Sequence, residues 1–392
     1  MIPRYHPQIT LYDIIYSLRQ KNQKLPLDVK NLGLPVQENS VFWLNSATSA
    51  LYVALKALNL PPDSGIGVPI YSCVTVFQAI ASAGMKCVFL DVKPDDFTLD
   101  TESLRQQQHL LSAAIIIHTF GFPSPFDEIR KIMGQRPIIE DCAHALGSQR
   151  ESIPLGLAGS AAVYSFNMHK PISANGGGLL IVNDKQYINN VRAVLPQQMA
   201  PVKPAGLNQL LKPWLKVILY RSPWYGLLVA LKLLDLRRDS GPIDRVRVEP
   251  MSVFQQRLLA RLIKSIPLRW KKQRDWACEL AEMVGKPEPV RHYVAHGEMW
   301  NGYLWPILLA SSLQRELSLE FFHRAGVDAF VLWPDCFKKA ARFEYKPGLC
   351  PQFEKVFPKL LFLPCYAELT RTQKNLMRHA IPRWQKQILT NH

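Results

Sequence analysis

Val163-Tyr-Ser-Phe-Asn-Met-His-Lys170 leads an apolar segment up to a lysine, passes through a turn of small residues and reopens as Gly176-Gly-Gly-Leu-Leu-Ile-Val182. Glycines let the main chain approach a ligand, and a lysine at a strand lip is where a Schiff-base amine is placed, although most lysines are solvated surface charges. Just upstream, Pro137-Ile-Ile-Glu-Asp141-Cys-Ala-His144 ends a second apolar segment on an acid. Short apolar runs at Gly65–Val68, Cys87–Asp91, Ala113–His118, Ile138–Asp141, Ala161–Phe166 and Leu179–Val182 predict buried strands. Helical patterns at Ser49–Leu58, Val74–Ala83 and Phe126–Met133 fall between them. Strands alternating with helices predict an α/β layer fold.

A chain of 392 residues suits a large domain plus a smaller one. The texture changes to helices from about Met251, and a boundary near residue 245 divides the chain into a large domain over 1–245 and a small C-terminal domain over 246–392. The second part reads as helices at Ser252–Ile263, Trp270–Val284 and Leu319–Ala325, then a strand-like Val327–Leu332. Hydrophobic content of 48% and charged content of 20% describe an ordinary soluble globular protein rather than a disordered one. The seven cysteines are scattered and form no Cys-x-x-Cys pair, so neither a disulfide framework nor a metal site is predicted. A reducing cytoplasm fits that usage. Met1-Ile-Pro-Arg-Tyr-His-Pro7 carries no secretory pattern.

The net charge of +16 is concentrated: residues 201–275 hold sixteen Lys/Arg against five Asp/Glu. This stretch includes a basic hydrophobic insertion at about 205–238, rich in Leu and Trp. Its longest uncharged run, Ser222 to Leu231, is far short of the roughly 20 residues that span a bilayer. Pro213 and Pro223 split it into short helical pieces. Two readings stand: an interfacial helix on anionic lipid, giving peripheral membrane contact through 207–238, or an insertion packed on its own domain or a dimer partner. No nucleic-acid module accompanies the charge, so no nucleic-acid partner is expected.

Open α/β sheets bind ligands at the carboxyl ends of their strands. Asn45-Ser-Ala47-Thr48-Ser49 precedes the first strong helix and offers hydroxyls and amides as a phosphate seat, or an ordinary cap at Ser46 or Thr48. Asp141 and His144 follow one strand, and Ser165 stands five residues before Lys170. A phosphate seat, a carboxylate, an imidazole and a lysine on strand ends of one sheet match the needs of pyridoxal 5'-phosphate.

With Val68-Pro-Ile-Tyr-Ser-Cys-Val-Thr75 and Met251-Ser-Val-Phe-Gln-Gln-Arg-Leu-Leu-Ala-Arg-Leu262, these segments resemble the DegT family of sugar-nucleotide aminotransferases. Late segments His323–Pro334 and Phe357–Pro364 echo the family too, so the likeness spans the chain except roughly 190–245. The resemblance implies the fold-type-I architecture, a three-layer sandwich with a mostly parallel central sheet and a smaller C-terminal α+β domain. It implies that Lys170 is the Schiff-base lysine, that Asp141 pairs with the pyridine nitrogen, that His144 lies near the ring hydroxyl, and that Ala47, Thr48, Ser49 and Ser165 serve the phosphate. Cys73 stands where the family carries an aromatic ring over the cofactor; Tyr71 or His144 is the candidate substitute. The acid expected near Gly176 is missing, and Val248-Glu249-Pro250 replaces a partner-reaching Asn-Tyr-Arg, with Arg247 as a substitute phosphate ligand. His169 is read as a neighbour of the site.

The implied reaction moves an amino group from glutamate to a keto-sugar on a nucleotide diphosphate, in polysaccharide or secondary-metabolite sugar biosynthesis, in a cytoplasmic homodimer. The alternative is a divergent relative acting as a scaffold or regulatory partner. Retention of both Lys170 and Asp141 favours the enzyme.

Overall fold

The computed structural model describes residues 1–19, 27–199, 214–215, 217–221, 224–231, 246–285 and 299–389. Much of the 205–238 insertion therefore lies outside the described residues. Seven strands form the central sheet: β1 (Val41–Leu44), β2 (Gly65–Pro69), β3 (Lys86–Leu90), β4 (Ala113–Ile117), β5 (Ile138–Asp141), β6 (Ala161–Ser165) and β7 (Gly178–Val182). Their spatial order is β1-β7-β6-β5-β4-β2-β3, parallel from β6 through β3 and antiparallel where β7 pairs with β6 and β1.

Alternation along each strand distributes its side chains over the two faces of the sheet, where they enter three apolar clusters. Ile115, Ile117, Ile139, Val163, Leu180 and Val182 enter one apolar cluster, while Ala162, Tyr164, Leu179 and Ile181 enter a second and Ala114, Ile116 and Ile138 a third. Successive side chains point to opposite faces, so a strand buried on both sides must feed clusters above and below it. Helices cover both faces, which makes the three layers expected of the fold.

The sequence reading missed β1, although its four residues, Val41-Phe-Trp-Leu44, are all apolar; three of them are only partly buried. The strand-like reading of Val327–Leu332 is corrected: only Val327 and Phe330 make isolated bridges, to Ile2 and Phe362. A tight main-chain bond from Ala329 N–H to the Val327 carbonyl interrupts the extension there. The strands of the second sheet are instead β8 (Pro306–Leu308) and β9 (Leu360–Phe362), paired antiparallel. C-terminal residues Trp276, Phe322, Phe353 and Trp384 share the cluster that contains Ile115, so this part of the chain packs continuously onto the sheet.

The register sets up the site. Asp141 pairs with Val163, Ser165 with Gly178, and Gly178 with Leu44. The carboxyl ends of β1, β5 and β6 and the start of β7 therefore meet on one edge of the sheet. Gly178 is required there: a Cβ would come within 2.3 Å of the Ser46 main chain, closing the gap through which β7 passes the following helix.

Candidate active site

Behind that edge lies a cavity of about 240 Å³ lined by Ala47, Thr48, Cys73, Asp141, Ala143, His144, Ser165, Asn167, Lys170 and Trp333, among others. Of the residues singled out by sequence, Ser49 is placed outside it. The Ser49 hydroxyl bonds Ser46 Oγ at 2.8 Å and donates to the Arg247 carbonyl at 2.9 Å, so it is spent on the fold. Ser46, not Thr48, is the helix cap: its Oγ accepts the Ser49 N–H at 3.1 Å at the start of helix Ala47–Ala57. Thr48 and Ala47 are thereby left on the cavity wall at the positive end of that helix.

Tyr71 does not face the cavity. It is fully buried among Phe97, Phe120, Phe353 and Phe357, and its hydroxyl donates to the Leu332 carbonyl at 3.3 Å. Arg247 is half-exposed and paired with Glu249 at 2.5 Å, and it does not line the cavity either. Trp333 is the residue that sequence reasoning overlooked. It sits in the left-handed region at φ 52°, which few non-glycine residues adopt, and so puts an indole on the wall.

Asp141 accepts the Ala143 N–H on Oδ1 at 2.9 Å. Burial pushes its carboxyl above the ordinary range, against the pull of that amide and of Lys170. Burial also lowers Lys170, opposed by Cys73 and Asp141. In each group burial outweighs the opposite charge of the other. His144 is driven well below its usual range by burial and then by the Lys170 charge, so it is neutral. Its Nδ1 accepts the Phe120 N–H at 3.3 Å, which leaves the proton on Nε2. Ser165 Oγ accepts the Asn167 N–H at 3.4 Å and keeps its own proton to donate.

Beneath Asp141, His118, Glu140 and Cys142 bring possible metal-ligand atoms within 4.8 Å of one another. Glu140 already accepts the amides of Gly156, Ala158 and Gly159 at 2.6–3.0 Å and bonds His118 Nε2 at 2.9 Å. His118 Nδ1 accepts the Ser124 N–H at 3.0 Å. The cluster is thus a support for β5, with its lone pairs committed.

Residues 36–205 match the sequence model of the DegT/DnrJ/EryC1/StrS aminotransferase family. The chain is similar to this family over that segment. The chain is 26% identical over 207 residues to GDP-perosamine synthase from Escherichia coli O157:H7, a match covering 52% of this chain and 55% of that protein. It is 33% identical over 155 residues to UDP-4-amino-4,6-dideoxy-N-acetyl-beta-L-altrosamine transaminase from Campylobacter jejuni, covering 38% and 41% of the two chains. These matches thus span only about half of each relative. In fold the likeness extends further. The structure of the aminotransferase TlmJ from Streptoalloteichus hindustanus superposes with a TM-score of 0.76 at 16% identity over 100% of both chains. The Streptococcus pneumoniae protein Spr1654 in its PMP form gives 0.76 at 17%, covering 99% of this chain and 98% of that one.

The donor set fits pyridoxal phosphate. A buried carboxylate with one oxygen left by the described bonds suits a protonated ring nitrogen, the Nε2–H of His144 suits a ring oxygen, and Lys170 opens into the same cavity. Ala47, Thr48 and Ser165 would take the phosphate.

Proposed function

We propose that this chain is a pyridoxal phosphate-dependent aminotransferase that transfers an amino group from glutamate, or a similar donor, to a nucleotide-linked keto-sugar. The observation that carries this reading is the convergence of Lys170 and Asp141, from the ends of β6 and β5, on one cavity that also contains the start of helix Ala47–Ala57. When bound, the cofactor supplies an electron sink for the carbon next to the transferred nitrogen.

The chain's own residues do the rest. Lys170 Nζ, more readily neutral than an ordinary lysine because burial disfavours its charge, is the atom that binds the group and moves the proton. Asp141 keeps the ring nitrogen protonated, and its own orientation is fixed by the Ala143 amide. His144 donates from Nε2 without adding charge. The excess of positive charge suits a diphosphate substrate.

We take the working unit to be a cytoplasmic homodimer. No described helix is long and apolar enough to cross a membrane. The membrane-surface reading of the insertion is supported by helix Trp224–Ala230. Its buried Tyr225 bonds Asp328, while Trp224 and Leu227 stay 53% and 51% exposed, with Leu231 just beyond it at 57%. An apolar face in so basic a segment suits an anionic lipid surface.

The test is spectroscopic. Purified protein with added cofactor should show a visible absorbance band that Lys170→Ala removes, and glutamate should bleach that band. A protein that gives no such band is not this enzyme; a band indifferent to glutamate rules out the donor.

A further inference from the structure

The turn that carries Lys170 is neither helix nor strand, and its polar main-chain groups need other partners. Some bond locally, as the Lys170 N–H does to the Asn167 carbonyl at 3.1 Å, and others bond side chains outside the matched family segment. Gln8 Nε2 donates to the Lys170 carbonyl at 3.0 Å and to the Pro171 carbonyl at 3.2 Å, while Gln8 Oε1 accepts the Ser173 N–H at 3.0 Å. From the C-terminal part, the Tyr303 hydroxyl donates to the His169 carbonyl. The Tyr5 ring stacks on the His169 imidazole at 4.0 Å with planes 25° apart.

Residues 2–8 are themselves tied down. Ile2 N–H donates to the Gly326 carbonyl at 2.7 Å, and the Ile2 carbonyl accepts the Asp328 N–H at 3.0 Å. Arg4 donates to both carboxylate oxygens of Asp328, at 2.7 and 2.8 Å, and Tyr225 bonds the same carboxylate. Arg269 Nη1 donates to the Gln8 carbonyl at 3.4 Å. The segment is a strap running from the Gly326–Asp328 turn to the lysine turn.

Such a strap could serve packing alone. Its bonds, however, fall on the short turn around the one residue whose amine must meet the cofactor, one on the Lys170 carbonyl itself and the others on Pro171 and Ser173 just after it. A lysine side chain is long and freely rotating, so the position of Nζ is only as well defined as the backbone from which it starts. A misplacement of about 1 Å in a reacting group can cost a hundredfold in rate.

We propose that Gln8 is a positioning residue for Lys170, acting through the Lys170 and Pro171 carbonyls and the Ser173 amide. This rests on the assignment of Lys170 made under Proposed function. Gln8→Ala removes all three bonds, whereas Gln8→Glu keeps the shape and the acceptor for Ser173 but puts oxygen against the two carbonyls.

In holoenzyme, both variants should lower turnover roughly tenfold to a hundredfold with little change in KM, and should move the pH midpoint of the bound-cofactor band. Without cofactor, the Ser173 amide should exchange faster in Gln8→Ala. The melting temperature of each variant by circular dichroism checks that the fold is kept. A Gln8→Glu protein with wild-type midpoint and turnover would mean that Gln8 only fills space, which overturns the proposal. A wild-type protein with no band sinks the function reading and this proposal together, so the two failures are distinguishable.

Discussion

The indole of Trp333 lies 5.6 Å from the imidazole of His144, with the two planes 17° apart. Phe120 stacks parallel beyond His144, at 6.4 Å and 7°, so three flat rings form an array that ends at the cavity. Cys73 has no ring to offer there. Trp333→Ala should therefore raise the cofactor dissociation constant roughly fivefold to tenfold, equivalent to about 1 kcal/mol of aromatic contact. Titration followed by absorbance checks this. If Cys73→Phe restores the affinity of the Trp333→Ala protein, the indole stands in for the missing ring; if affinity never changes, it does not.

Asp141 and Glu140 are neighbours with separable roles. Asp141→Asn should leave the melting temperature close to wild type while lowering turnover roughly a hundredfold to a thousandfold. Glu140→Gln presents an amide to donors that need an acceptor, and should cost about 3 kcal/mol of stability in denaturant titrations. Equal loss of stability in both variants would contradict the division.

The acid side of stability follows from Glu140. Burial works to raise its carboxyl, but His118 and the Gly159 and Ala158 amides outweigh that and hold it below the usual glutamate value. A carboxylate with a depressed folded pKa contributes stability that is fully present above its unfolded pKa and lost as pH falls through the folded one. The stability gap between wild type and Glu140→Gln should thus be constant near neutrality and narrow on acidification below the usual glutamate range. Denaturation curves across that window measure it.

Lys170 has the opposite sign. Its pKa is lowered in the folded protein, chiefly by burial, so protonation opposes folding at every pH below the unfolded lysine value. Lys170→Met, without cofactor, should melt higher than wild type at pH 7, and the difference should shrink as pH rises toward the ordinary lysine range. An unchanged melting temperature would mean that the amine is solvated.

For the insertion, Trp224→Ala combined with Leu227→Ala should abolish flotation with anionic vesicles at low salt, and added salt should weaken wild-type binding. Protein that never floats would leave the exposed face to a partner copy, read out as oligomeric state.

The apolar runs of β4 to β7 were legible because both faces of each strand are buried, which writes a continuous signal. β1 was not, although Val41-Phe-Trp-Leu44 is wholly apolar: a run of four residues does not by itself separate a strand from other structure. Lys170, Asp141, His144 and Ser165 were legible as strand-end residues. Ser49 was misplaced because a hydroxyl near a helix start can serve either a ligand or the fold, and here the Arg247 carbonyl claims it. Trp333 could not be read from its neighbours: its place on the cavity wall depends on a left-handed backbone and on contacts with Tyr71 and His144 that lie far away in sequence.

The clamp on the lysine turn has a temporal consequence. Gln8 is 162 residues from Lys170 in sequence and Tyr303 is 134 residues from His169, so the turn is finished only when segments from both ends of the chain have arrived. Contacts of such high separation form late, after closure entropy has been overcome. During synthesis the sheet can assemble well before residue 303 leaves the ribosome, yet its lysine would still lack half of its frame. Acquisition of cofactor colour should therefore report the last stage of folding rather than the first.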